Sequence, residues 1–423
     1  MITDLHKRLF MLSTYSVTHF LVDFACAFMI FRYITATGNW YLCILIYNFF
    51  AFAMQMPLGI IADKLSRNYV FASIGCGLVC LAYGICQMPL IAVIIIGLGN
   101  AMFHLGGGID ILNVSEKKLG MLGIFVSPGA FGIYFGTLLG KSGRLPPYPI
   151  VTAIIAAAIL IVVICRAQGD KYPKNSAFSL ESGFSREGDV ACEEPTSCEG
   201  AISREGAISR EWAISSKSAA PLEETVSHDG DVSREGAHLP GGGASTRRLV
   251  AVMCMLLVVC LRSFIGLSVN YPWKNDGLWG IILVCAVVFG KVAGGFIGDG
   301  IGLTKTAVLS LGFAAPLFLF PQIPAAGVLS ILLINMTMPV TLWSAAKILP
   351  GAKGFSFGLL TFGLFIGFLP SYLGLNVPVG AYWLFALIAA ASLLLLWGGL
   401  RSARKELGGR PLCVRGTVQT TIM

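Results

Sequence analysis

The chain has 423 residues, of which 56% are hydrophobic and only 12% charged, with a formal net charge of +8. A soluble protein of this size carries about 25% charged residues, so composition excludes an ordinary soluble domain. The basic excess sits in short loops, where it acts as a topology signal rather than a nucleic-acid surface. The 12 cysteines fall mostly inside apolar runs and form no Cys-x-x-Cys pair, so neither a metal site, a cofactor nor a disulfide framework is expected from them.

Taken in chain order, apolar runs of about 18 or more residues recur, each able to cross a ~30 Å hydrocarbon core as a helix. Barrel strands would instead alternate polar and apolar positions. Six spans are predicted near 9–31, 41–62, 69–87, 89–110, 119–140 and 148–166. The first follows Lys7 and Arg8 and is too long for a cleaved signal core, so it reads as an uncleaved span. Six more are predicted near 249–270, 278–298, 304–321, 324–343, 355–375 and 380–400. The expected architecture is an all-α polytopic membrane protein of twelve transmembrane helices in two six-helix bundles. The bundles cover 1–168 and 249–400, with a tail at 401–423.

Between the bundles, residues 169–248 change character. Ser185-Arg186-Glu187-Gly188, Ser203-Arg204-Glu205-Gly206, Ser209-Arg210-Glu211 and Ser233-Arg234-Glu235-Gly236 repeat one short polar unit. Such a segment lacks the apolar content to offset the entropy of ordering and reads as a disordered linker. It is either a tolerated repeat expansion or a docking element. In a twelve-span arrangement Lys7, Arg8, Lys64, Arg67, Lys117, Lys118, Lys305, Lys347, Lys353, Arg401, Arg404 and Lys405 share one side; Arg32, Lys141, Arg144 and Lys274 share the other. The first side is expected to be cytoplasmic, with both termini inside.

Two stretches match each other. Gly59-Ile60-Ile61-Ala62-Asp63-Lys64 and Gly295-Phe296-Ile297-Gly298-Asp299 each close the second apolar run of their half. A Gly-x-x-x-Asp repeated at equivalent points implies a duplicated bundle. Six spans, a long loop, six more spans and this shared motif together resemble the major facilitator superfamily. Gly59-x-x-x-Asp63-Lys64-x-Ser66-Arg67 is similar to that family's loop between spans two and three, with Ser66 where the family usually has Gly. In the second copy Gly302 is present and the basic pair is reduced to Lys305.

Other residues resemble the fosmidomycin-resistance-type branch: His19-x-x-x-Asp23 in span one, Gly99-Asn100-Ala101-Met102-Phe103-His104 in span four, Phe125-Val126-Ser127-Pro128-Gly129-x-x-Gly132-x-x-x-Gly136 in span five, and Leu261-Arg262-Ser263 in span seven. Leu105 stands where that branch commonly has Pro. Span five also resembles the antiporter motif of drug exporters, with Ser127 and Phe131 replacing glycines. The resemblance implies alternating access, a latch role for Asp63 at the cytoplasmic rim, and a monomer.

Charges inside a membrane cost at least about 2.5–3.5 kcal/mol on insertion scales, so they face cavities or partners. Asp23 and His19 lie one helical turn apart on one face and are candidates for proton coupling, or a static pair that fixes packing. Arg262 is placed to face Asp23 or to bind an anion. Lys291 either lines the cavity or snorkels outward. Asn100 and His104, also a turn apart, are candidates for substrate contact or for interhelical hydrogen bonds, and Asn335 and Trp343 are further lining candidates. Gly106-Gly107-Gly108 permits a break or a close approach, and Asp110, Asn113 and Glu116 mark the end of span four. Gly59, Asp63, Lys64, Arg67, Gly295 and Asp299 form the candidate conformational latch. A carboxylate there can meet a basic side chain or the positive end of a helix, while ordinary topology signalling would account for the basic residues alone.

The function these residues point to is a secondary transporter of a small molecule in the plasma membrane, coupled to protons, with export favoured. An uptake permease for an organic anion or nutrient is the alternative, and a non-transporting scaffold or sensor a third. No phosphate-binding loop or nucleophile–base pair suggests an enzyme. The expected partners are the substrate, protons and the lipid bilayer, with no nucleic acid.

Overall fold

A computed structural model describes residues 2–115, 118–168, 242–274, 278–375, 377–378 and 380–406. Most of the expected linker, Glu116, Lys117 and the tail beyond 406 lie outside the described residues. Regular structure among the described residues is entirely helical. That follows from the solvent: a chain in hydrocarbon must pair its backbone groups within each spanning segment.

Twelve helices follow in order. The first six are α1 (Leu5–Ile34), α2 (Trp40–Leu65), α3 (Asn68–Gly84), α4 (Pro89–Ser115), α5 (Leu119–Ser142) and α6 (Tyr148–Arg166). The second six are α7 (Thr246–Ser268), α8 (Trp279–Ile301), α9 (Leu303–Leu317), α10 (Pro324–Ile348), α11 (Lys353–Tyr372) and α12 (Tyr382–Arg404). Ten are long and apolar enough to cross a membrane; α3 and α9 are shorter apolar helices. The chain is thus the all-α polytopic membrane protein read from its sequence. Helical structure begins at Gly242, ahead of α7, and continues past α12 to Glu406. Part of the expected linker and part of the expected tail are therefore helix extensions.

Several helices are interrupted. In α5 the break falls at Ser127–Pro128. Proline has no N–H to donate to Ile124 O; Ser127 Oγ donates to that carbonyl instead, at 3.0 Å. In α10 the break falls at Met336, three residues before Pro339. There Asn335 Nδ2 donates to Ile331 O at 2.8 Å and Thr337 Oγ1 to Ile334 O at 2.7 Å. Five-residue π-helical turns occur in α1 (Ile30–Ile34) and α2 (Phe49–Ala53).

The three consecutive glycines of α4 do not break it; the helix is continuous to Ser115. They let neighbours approach instead. A Cβ on Gly106 would lie 2.4 Å from Asn68 O of α3, and one on Gly108 would lie 2.3 Å from the Phe357 ring of α11. Between the halves the principal helix pairs are α2 with α11 and α5 with α8. These are the same pair of positions counted from each half, as a duplicated bundle requires.

Candidate functional site

The polar residues of α1 and α4 face one another along a seam. The helices run antiparallel, and the residues meet in reversed order: Tyr15 with Asp110, His19 with His104, Asp23 with Asn100. Tyr15 Oη donates to Asp110 Oδ2 at 2.6 Å, and Asn68 Nδ2 donates to Asp110 Oδ1 at 2.9 Å. Eight residues along α1, Asn100 Nδ2 donates to Asp23 Oδ1 at 3.1 Å.

The middle of the seam is a tight triangle. His19 Nε2 and His104 Nε2 are 2.9 Å apart. Asp23 Oδ2 is 3.3 Å from His19 Nε2, and Asp23 Oδ1 is 3.4 Å from His104 Nε2. His104 Nδ1 lies 2.8 Å from Asn100 O. A carbonyl only accepts, so that nitrogen carries the proton. In the uncharged network His104 Nε2 then offers a lone pair, which His19 Nε2–H meets. His19 Nδ1 is left buried with no hydrogen-bond partner.

The surroundings are apolar. The His19 ring lies 5.0 Å from Phe125 and 6.2 Å from Phe103, centroid to centroid. His19 is 6% and Asp23 8% exposed. The carboxylate is tolerated in such a place because its hydrogen-bond partners surround it. On the α5 side stands Gly129: a Cβ there would lie 2.2 Å from Asp23 Oδ2 and 2.4 Å from His19 Nε2. Any side chain there would displace Asp23 or His19.

Four candidates that sequence spacing assigned to two separate roles thus form one cluster. Asn100 and His104, expected to contact substrate, hold the Asp23–His19 pair. Arg262 does not pair with Asp23; it is 8% exposed, and its Nη1 is buried without a hydrogen-bond partner. Lys291 does not snorkel away. Its Nζ donates to Val126 O at 3.0 Å, close enough to Asp23, His19 and Arg262 to act on them electrostatically. Asn335 turns its amide to its own helix, as above. Trp343 is buried in the core, with Lys347 Nζ 5.2 Å from its ring centroid.

At the end of the molecule where α2 and α8 finish, two carboxylates reach across between the halves. Asp63 Oδ1 accepts from Gly354 N at 2.8 Å and Oδ2 from Phe355 N at 2.9 Å, both in the first turn of α11. Asp299 Oδ1 accepts from Leu119 N at 2.7 Å and Oδ2 from Gly120 N at 2.9 Å, both in the first turn of α5. Each carboxylate caps the unpaired N–H groups of a helix start in the other half, where the helix dipole also favours negative charge. Gly59 makes the approach possible: a Cβ on it would lie 2.3 Å from Gly354 O. Gly295 meets Leu119 in the corresponding way. Lys353 Nζ adds a hydrogen bond to Asn113 Oδ1 at 2.6 Å.

Lys64 and Arg67 are exposed beside this junction. Ser66, where the resembling family usually has Gly, ends α2 at φ 51°, in the left-handed region.

The fold is shared with solved structures. The E. coli fucose:proton symporter FucP aligns over 95% of this chain and 99% of its own, with TM-score 0.56 and 13% identity. The human organic anion transporter MFSD10 aligns over 93% and 99%, with TM-score 0.56 and 13% identity. A bacterial homologue of the iron transporter ferroportin, in an outward-facing state, aligns over 94% and 99%, with TM-score 0.53 and 11% identity. The fold is that of the major facilitator superfamily transporters. Neither a family model nor a curated protein matches the sequence.

Within the major facilitator fold, three features of this chain had no clear sequence signal. Asp110 looked like a rim residue, but α4 continues a further turn past it. Tyr41 and Tyr372, at the end opposite Asp63, stack with centroids 4.1 Å apart across the two halves. Tyr372 Oη donates to Tyr41 O at 3.1 Å, and Tyr41 Oη donates to Tyr372 O. Phe103 and Phe125, the walls of the triangle, stood within the quoted motifs with no role assigned to them. The Tyr15–His19–Asp23 spacing at i, i+4 and i+8 did carry a signal for the seam.

Proposed function

We propose that the chain is a proton-coupled secondary transporter that moves a small molecule by alternating access, with the Asp63 end cytoplasmic. The observation that carries this reading is the reciprocal pair of carboxylate caps. Asp63 and Asp299 bridge the halves only while that end is closed, so each stabilises one arrangement of the bundles over the other. A scaffold has no use for such a device.

Asp23, with His19 and His104, is the coupling group of this reading. A buried carboxylate touching two imidazoles has a protonated and a deprotonated form of different hydrogen-bond patterns, which is what coupling requires. Tyr15 and Asp110 extend polar groups from there toward the cytoplasmic end. Export is the proposed direction, on the likeness of α5 to the antiporter motif, and the histidines of α1 and α4 favour the fosmidomycin-resistance-type branch. Import of an organic anion is the second reading, favoured by the unpartnered Nη1 of Arg262 with Lys291 nearby.

The test uses everted membrane vesicles carrying an imposed pH gradient, read with a ΔpH-sensitive dye. A panel of antimicrobials and organic anions is added one compound at a time. At least one compound should collapse the gradient in vesicles with the native chain and not in vesicles with Asp23→Asn. Equal collapse in both would remove Asp23 from coupling.

A further inference from the structure

We propose that His19, Asp23 and His104 form a binding site for a divalent first-row transition-metal cation. The absence of Cys-x-x-Cys pairs argued against metal in the sequence, but that argument did not reach ligands brought together from two helices.

The first support is the size of the triangle. Its edges, from His19 Nε2, His104 Nε2 and Asp23, are 2.9, 3.3 and 3.4 Å. Metal–nitrogen and metal–oxygen bonds of about 2.0–2.2 Å place neighbouring donors about 2.9 Å apart at a right angle and about 3.4 Å apart at a tetrahedral angle. The two imidazole nitrogens and the Asp23 carboxylate, which turns Oδ2 to His19 and Oδ1 to His104, therefore stand at separations that one cation can span. The donor atoms of these residues also all lie within 4.8 Å of one another.

The second support is the outer shell. Histidines that bind metal usually donate their other ring N–H to a carbonyl or carboxylate, and ligating carboxylates are themselves hydrogen-bonded. Here His104 Nδ1 is fixed to Asn100 O at 2.8 Å, leaving Nε2 free to ligate. Asn100 Nδ2 holds Asp23 Oδ1 at 3.1 Å. One residue thus orients two of the three ligands. The third support is the meeting of the two rings: His19 Nε2 and His104 Nε2 face each other at 2.9 Å, where without a cation a proton on His19 Nε2 must stand between them.

Two imidazoles and one carboxylate suit Zn²⁺, Fe²⁺, Co²⁺ or Ni²⁺ rather than Ca²⁺ or Mg²⁺, which prefer all-oxygen sites. Lys291 acts electrostatically on both histidines and opposes a cation. Its removal should therefore strengthen binding. The inference concerns binding alone and stands or falls separately from proton coupling.

The test is Co²⁺ binding to the metal-stripped, tag-free full chain in detergent, read by ligand-field absorption and by metal content after desalting. The native chain should retain one Co²⁺ per molecule, and Zn²⁺ should displace it. His104→Gln and His19→Gln should each lose the absorption. Asn100→Ala should keep it with affinity about 10–100-fold lower. Lys291→Met should bind more tightly, and His6→Gln, at an exposed histidine 13 residues before His19 on the same helix, should bind as the native chain does. The proposal is overturned if the native chain retains no more Co²⁺ than a His19→Gln/His104→Gln double variant that elutes as the same monodisperse species. Loss of binding in His6→Gln equal to that in His104→Gln would overturn it as well.

Discussion

Replacing the two capping carboxylates by alanine should open the Asp63 end. Asp63 is 1% exposed and accepts two backbone hydrogen bonds, at 2.8 and 2.9 Å. Hydrogen bonds to charged groups are each worth about 1.5–3 kcal/mol net in folded proteins. In the open arrangement water replaces part of that, so about 2 kcal/mol per carboxylate is a reasonable difference between the two states, a factor of roughly 30. Asp299 makes an equivalent pair of bonds to a different helix. Two separate contacts of this kind add, to about 4 kcal/mol or roughly a thousandfold. The measurement is a distance distribution between spin labels at Leu65 and Ile301. Both are exposed, at the same end, on helices of opposite halves. Genetically encoded labels leave the native cysteines untouched. The short-distance population of the native chain should shrink in Asp63→Ala and in Asp299→Ala, and become the minority in the double variant. An unchanged distribution in the double variant would refute the latch.

Other substitutions probe the remaining geometry. Gly129→Ala should push Asp23 and His19 apart and abolish gradient-driven flux, with correct membrane insertion checked by fluorescence-detected gel filtration. Ser66→Gly should raise the thermal unfolding temperature, because a side chain in the left-handed region costs about 1–2 kcal/mol. Asp110→Ala should destabilise the first bundle by about 1–3 kcal/mol by removing the partner of the Asn68 amide and leaving the Tyr15 hydroxyl only its weak contact with Cys165 Sγ, seen as a lower midpoint in the same thermal scan. Tyr372→Ala should expose the opposite end, detected as faster labelling of a cysteine at Phe368 by a membrane-impermeant maleimide.

The number and order of helices were legible because the bilayer imposes one length scale and one backbone solution; ten of the twelve apolar helices meet that length, and α3 and α9 are shorter apolar helices. The carboxylate caps between the halves were legible in part. Two aspartates at equivalent points announced a duplicated rim, but their partners are backbone N–H groups of Gly354, Phe355, Leu119 and Gly120, which no residue type advertises. The cluster was legible within each helix and not between helices. Spacing put His19 beside Asp23 and Asn100 beside His104, yet only the antiparallel packing of α1 on α4 joins the pairs. Asn335 and Trp343 were chosen as polar or aromatic residues in a lining helix, and spacing alone does not say which face of α10 meets the core.

The break in α5 connects the two kinds of site. Before it, Leu119–Val126 packs on α8: Asp299 caps its first turn, and a Cβ on Gly123 would lie 2.7 Å from Lys291 O. After it, Pro128–Ser142 packs on α1, where Gly132 and Gly136 meet Phe20 O and Phe24 O so closely that a Cβ would lie 2.4 and 2.3 Å away. Gly129, one residue past Pro128, touches Asp23 and His19. Lys291 holds Val126 O, one residue before Ser127. The segment bound to the opposite half and the segment bound to the Asp23 helix therefore join at a point lacking one backbone hydrogen bond. Adding a proton or a cation at Asp23 changes the charge that Lys291 faces and the shape that Gly129 packs against. Both changes act on the same joint, and the joint leads in two turns to the Asp299 latch. The proposed coupling needs no long relay, because the helix that borders Asp23 is the helix whose first turn Asp299 caps.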